Sequence, residues 1–204
     1  MYTIYISMTD TKTAITLNPK TTALILIDLQ KGIVSFPSEP HSATDVIKNA
    51  QKLTGAFHEA HALVILVHVS ASPDGKDMLH PDADQPMVRR GEMPKDWAEI
   101  VPELTPTVND LLITKHQWGA FYGTELDLEL RRRGITTIVI GGISTNMGVE
   151  STARDAYERG YQLIFAEDAM SSMAEADHAF AISRIFPRIG KIRKTQEITT
   201  AITA

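Results

Sequence analysis

Apolar runs that do not alternate are the feature that most restricts the fold of this chain. Residues 22–29 (TALILIDL) and 63–69 (LVILVHV) are continuous stretches of this kind, and shorter ones fill 110–114, 135–140 and 161–166. A strand wet on one face alternates apolar and polar residues, so continuous runs imply burial on both faces. Between them the pattern changes to a helical period over residues 43–61, 124–133, 146–159 and 175–186. The apolar positions of the second helix are Leu126, Leu128 and Leu130, and those of the third are Val149, Ala153, Ala156 and Tyr157. A short helical candidate at 97–101, an edge strand at 189–193 and a terminal helix from Gln196 complete the order. Strand and helix in alternation predict a three-layer α/β domain with right-handed crossovers around a mostly parallel sheet. A length of 204 residues suits one domain, read as an extension over 1–20 and a single domain over 21–204.

Open sheets of this kind carry their sites outside the carboxyl ends of the strands. That edge receives Asp28, residues 68–70, Lys115 and residues 143–148. Asp28 follows five apolar residues, and a carboxylate so placed is poorly solvated, which raises its pKa unless donors compensate. Lys115 ends the third strand in the same manner, so the two charges can pair and serve as an acid/base device. Residues 142–148 (GISTNMG) join the fourth strand to its helix, where backbone N–H groups favour anionic groups. Gly148 falls in the first helical turn at a cost of roughly 1 kcal/mol relative to alanine, which suggests a close approach to the backbone. The long connection over 70–106, rich in Pro, Asp and Gly, reads as a lid or binding loop.

Composition removes several classes of function. Cysteine is absent, which excludes disulfides, thiolate metal sites and a cysteine nucleophile. Twenty Lys plus Arg against 25 Asp plus Glu give a net charge of −5, which argues against nucleic acid or anionic membrane as partner. The basic cluster at 131–133 ends a predicted helix and complements its dipole. The opening MYTIYIS lacks the basic region of a signal peptide, and no apolar run reaches the ~18–20 residues that cross a bilayer. The expected compartment is the cytoplasm, with Met8 an alternative start. His58 and His61 in HEAH stand one residue short of the HExxH zinc spacing, and His68 has no companion ligand. No dinucleotide or phosphate-loop pattern is present, so neither a cofactor nor a metal is expected. Ser144, Thr145 or Ser151 as nucleophile lacks a nearby histidine base.

Three segments carry a resemblance: IDLQ with Asp28, TKHQWGAF with Lys115, and GISTNMGVESTARDA with Gly148. In order and spacing they resemble the isochorismatase-like (cysteine hydrolase) family over about residues 21–193. The resemblance implies a Rossmann-like, six-stranded parallel sheet, an Asp–Lys–Cys triad, a non-proline cis peptide near Ile143–Ser144 and a homodimer or homotetramer. Asp28 would then be the acid/base, Lys115 its partner, and Gly148 would occupy the place of the nucleophile. Most of that family, nicotinamidases and carbamoylsarcosine hydrolases among them, cleaves amides through a thioester. True isochorismatases resemble this chain in carrying glycine there: a carboxylic acid protonates an enol carbon and water adds, with no covalent intermediate.

Three substrate contacts of isochorismatases differ here. Ser144 stands where they carry Tyr, Ser70 where they carry Gln, and Gln117 where they carry Arg. These differences disfavour isochorismate itself, no carrier-protein domain like that of some isochorismatases is expected, and the overall motif pattern looks most like a bacterial branch of the family without the cysteine. The expected function is hydrolysis of a small polar or anionic metabolite by Asp28, Lys115 and water. Substrate contacts would come from Ser144, Thr145, Asn146, Ser70 and Gln117, with Trp118 and Phe121 read either as pocket walls or as packing. The alternative is a silent metabolite-binding protein on the same fold.

Overall fold

A computed structural model of the chain describes residues 14–85 and 94–202. Six parallel strands form one sheet: β1 (Thr22–Ile27), β2 (Leu63–Val69), β3 (Leu111–Lys115), β4 (Thr137–Ile143), β5 (Gln162–Ser171) and β6 (Lys191–Arg193). Their order across the sheet is β3-β2-β1-β4-β5-β6. The chain builds outward from β1 to β3, then returns to the other side of β1, so the connections leave β1 and β4 in opposite directions. That switch point opens a crevice at the carboxyl ends of β1 and β4.

Both faces of the sheet are dry, as the continuous apolar runs require. On β1, Ala23, Ile25 and Ile27 face one core, and Leu24 and Leu26 face the other, all at most 1% exposed. Helix α2 (Ala43–Glu59) covers the second face with Val46, Ala50, Leu53 and Phe57, and α7 (Thr195–Ala201) adds Ile198. Ser42 caps α2 by accepting the Asp45 N–H at 3.1 Å. The first face is covered by α3 (Leu126–Arg132), α4 (Glu150–Glu158) and α6 (Phe186–Ile189), with α5 (Glu175–Phe180) preceding α6. A single turn, α1 (Lys31–Val34), follows β1. Leu17, ahead of β1, is buried and bridges to Ile202.

Several elements differ from the sequence expectation for identifiable reasons. Leu126 and Leu130 are four apart and buried, whereas Leu128 lies two positions away around the helix and is half-exposed. Tyr157 likewise faces out. The single helix expected over 175–186 is interrupted by a π turn, Ala181–Ile185, just before Pro187, which has no N–H to continue the ladder. The helix expected from Asn146 also begins with a π turn, Thr145–Val149. Residues 97–101 form turns rather than a helix, with a 3₁₀ turn at Pro102–Leu104 and an antiparallel bridge between Gln30 and Ile100. Strand β5 runs five residues beyond the apolar stretch, past Glu167 and Asp168, to place Met170 and Ser171 beside Gly142 and Ile143.

The glycine pair at the end of β4 allows this close approach. A Cβ on Gly142 would lie 2.1 Å from the Ile27 carbonyl oxygen, and its φ of +126° is hostile to any side chain. Gly160 also has a positive φ, +84°, but open space around it. Gly142→Ala is therefore expected to cost about 3 kcal/mol or more, from overpacking and backbone strain together. Gly160→Ala is expected to cost nearer ~1 kcal/mol, from backbone alone. Urea unfolding of the two variants checks the contrast, and equal losses would contradict it.

Candidate active site

Asp28 and Lys115 meet at the carboxyl edge although their strands are separated by β2. Lys115 Nζ donates to Asp28 Oδ2 at 2.7 Å, to the Gln117 carbonyl at 3.1 Å and to the Trp118 carbonyl at 2.9 Å. Three acceptors satisfy the three donors of an ammonium group, which fits the charged form. The side chains are 1% and 8% exposed, so the pair lies out of water. Asp28 itself has φ of +54°, the left-handed region that Asp tolerates better than most residues, and its N–H donates to Val67 O at 2.8 Å. Its other carboxylate oxygen, Oδ1, is buried and has no hydrogen-bond partner among the described residues. Burial pushes the Asp28 carboxyl up to about 6, against the opposing pull of the Lys115 charge and hydrogen bond. A group balanced near neutrality in this way can both give and take a proton.

Gly148 completes the constellation. A Cβ built on it would fall 2.8 Å from Ile27 Cγ2, 3.0 Å from Asp28 Oδ2 and 3.6 Å from Lys115 Nζ. The backbone of the turn is thus packed against the ion pair, with no room for a side chain unless the buried Ile27 shifts. Thr152 fixes this approach: its hydroxyl donates to Gly148 O at 2.7 Å and accepts the Ala120 N–H at 3.1 Å, tying the turn to the loop that holds Lys115.

The remaining expected residues divide. Ser144 precedes the π turn, follows the cis peptide Ile143–Ser144, and accepts the Met147 and Val149 N–H groups, each at 3.2 Å. Thr145 is buried with its hydroxyl 2.9 Å from His178 Nδ1, and Asn146 accepts from the Ser172 hydroxyl at 3.1 Å. Ser70 lies beside the lysine, its N–H donating to Lys115 O at 3.0 Å. The Gln117 amide donates to Gly119 O and Tyr122 O, so it braces its own loop. Trp118 lends its carbonyl to Lys115 while its side chain is half-exposed. Of the two readings of Phe121, the structure matches packing: it is buried in the core, beside Tyr161 at 6.0 Å between ring centres and under the Arg159 guanidinium. A ring three residues past the exposed Trp118 can turn inward as readily as outward, and the motif alone does not distinguish them.

Some contributors were not legible in the motifs. Gln30 is fully buried and bridges both Val69 groups and Trp97 O, fixing the end of β2 to residues 97–100. Its position two residues after Asp28 is the only sequence hint. His68 is spent structurally, on Ala98 O and Thr114 Oγ1, each at 2.7 Å. His58 pairs with Asp110 at 2.8 Å beside a surface depression of about 540 Å³ at the opposite, amino ends of the strands. His41, Glu167 and His178 come together near the turn from three separate segments, with no spacing to announce them.

The sequence model for the Isochorismatase domain matches residues 22–197. The isochorismatase family protein YwoC of Bacillus subtilis (strain 168) is 52% identical over 177 residues, 86% of this chain and 91% of that protein. The ureidoacrylate amidohydrolase RutB of Acinetobacter baylyi is 31% identical over 206 residues, 90% of this chain and 84% of its own. Among solved structures, an isochorismatase family protein from Burkholderia thailandensis superposes with a TM-score of 0.88 at 44% identity, covering 93% of this chain and 99% of its own. Among the described residues, no helix is long and apolar enough to cross a membrane.

Removing Lys115 leaves a carboxylate buried without its cation. Lys115→Met is expected to lower stability by about 3 kcal/mol near neutral pH, as for other broken buried pairs. The native Asp28 pKa lies above its ordinary value of 3.8, so its ionisation opposes folding as pH rises through that window. Loss of Lys115 raises the native pKa further, and the deficit should therefore shrink as pH falls toward 4. Urea unfolding at both pH values measures this; a deficit independent of pH would contradict it.

Proposed function

The chain belongs to the isochorismatase family, and on that premise we propose that it hydrolyses a small polar or anionic metabolite through Asp28, Lys115 and water, without a covalent enzyme intermediate. One observation carries the reading: the buried Asp28–Lys115 pair is intact, with one carboxylate oxygen unpartnered among the described residues, while a side chain at position 148 would fit beside it only if the buried Ile27 shifted. Gly148 would take the place that a nucleophilic cysteine holds elsewhere in the family. Asp28 gives its proton to the substrate on the side of the bond to be broken, and water adds its hydroxyl to the electrophilic carbon. The remaining water proton returns to Asp28, which restores the acid. Lys115 stabilises the carboxylate during the interval in which Asp28 is ionised. The backbone of residues 145–148 would receive the polar or anionic end of the substrate. Ser70 and Trp118 would flank it.

RutB, an amidohydrolase by name, supports hydrolysis as the reaction class. Turnover is tested with a panel of ureidoacrylate, other small amides and enol ethers of carboxylic acids, read by mass spectrometry. For any substrate found, Asp28→Asn and Lys115→Ala are each expected to lower kcat/KM by ~100-fold or more. The wild-type profile should carry an inflection near pH 6, falling above it if proton donation limits the rate and rising through it if water activation does. An inflection that persists in Asp28→Asn, or an enzyme adduct during turnover, would overturn the mechanism. Retention of a ligand without conversion would favour the silent-binding reading.

We also propose a homodimer or homotetramer. The indole of Trp118 and the ring of Tyr122, 53% and 76% exposed beside the site, are the surfaces such an assembly would cover. Light scattering at micromolar concentration is expected to give a mass of two or four chains, and a monomer would refute it.

A further inference from the structure

On the side of the turn Thr145–Val149 where Thr145 meets α5, three side chains converge on one point. His41 comes from the loop before α2, Glu167 from within β5 and His178 from α5. Glu167 Oε1 lies 3.3 Å from His41 Nε2 and 3.5 Å from His178 Nε2, and the three ligand atoms are all within 4.8 Å of one another. Ligands bound tetrahedrally to zinc at its usual bond lengths are separated by about 3.3 Å. The two imidazoles meet edge to face, with ring centres 5.7 Å apart.

His178 supplies an independent sign. It is 3% exposed, its Nδ1 is 2.9 Å from the Thr145 hydroxyl, and its Nε2 is buried and, apart from the 3.5 Å approach to Glu167 Oε1, unpartnered among the described residues. With Nδ1–H donating to Thr145, Nε2 turns a lone pair toward Glu167 Oε1 at 3.5 Å, the state that binds a metal; in the other tautomer Nε2–H points at that oxygen instead. The surrounding contacts are those that orient metal ligands. Lys194 pairs with the other Glu167 oxygen, which leaves Oε1 to bind alone. The backbone of His41 is clamped by Ser171, whose hydroxyl donates to His41 O at 2.7 Å. The side chain of His41 remains 26% exposed, so the site is reachable from solvent.

We propose that His41, Glu167 and His178 bind one divalent transition-metal ion of the zinc class. Bound there, the ion holds His178 against Thr145 and so braces the turn whose other end, Gly148, packs on Asp28. This site is separate from the Asp28–Lys115 pair and does not depend on hydrolysis.

Zinc chloride titrated calorimetrically into chelator-treated protein is expected to show one equivalent bound with micromolar or tighter affinity. His41→Ala and Glu167→Gln should each weaken it at least tenfold, and His61→Ala, remote from the cluster, should leave it unchanged. Cobalt(II) added to the wild-type chain should give the visible absorption of a low-symmetry histidine–carboxylate site, which does not depend on any variant folding. Absence of saturable binding, absence of that spectrum, or wild-type affinity in both cluster variants would overturn the proposal and leave the three residues as a hydrogen-bonded cluster.

Discussion

A lysine ammonium held out of water by one carboxylate and two carbonyls is the interaction on which the site depends. Lys115 Nζ has no spare donor: it binds Asp28, Gln117 O and Trp118 O. Desolvating such a charge costs several kcal/mol, and only complete coordination returns it. The chain immediately after β3 must therefore fold back over the lysine head, and Gln117 locks that fold by donating to Gly119 O and Tyr122 O. The same requirement fixes Asp28, which bends into the left-handed region at the end of β1 to meet the lysine across β2. Hence both charged side chains are held in place by the backbone around them.

Much of this was readable because parallel sheets write their topology into the sequence. Continuous apolar runs located β1 and β2 and implied two dry faces, and a charge after such a run can only sit at a strand end. Asp28 and Lys115 were legible for that reason. What stayed hidden follows a different physics. Strand β5 continues through Glu167 and Asp168 because its partner there is the glycine end of β4, a pairing of backbones that leaves no hydropathic trace. Phe121 turned inward because Tyr161 and Arg159 offered a packing partner, and both lie far along the chain. Gln30 became buried because the end of β2 and residues 97–100 needed a bridging amide. In each case the deciding neighbour is distant in sequence, where neither periodicity nor spacing carries information.

The turn Thr145–Val149 links the two halves of the argument. At one end Gly148 is pressed against Ile27, Asp28 and Lys115; at the other Thr145 meets His178, and Asn146 accepts from Ser172. Thr152 ties the turn to the lysine loop through Ala120. Glycine at 148 thus has a steric cause. A backbone this close to an ion pair leaves a side chain no space unless its neighbours shift. A thiol at that position would need Ile27 to withdraw from the base of the crevice, and Ile27 is fully buried and paired with both Val67 and Gly142. The missing side chain at 148 and the tightness of the turn are therefore one structural fact: a larger residue there would loosen the packing that holds the Asp28–Lys115 pair in place.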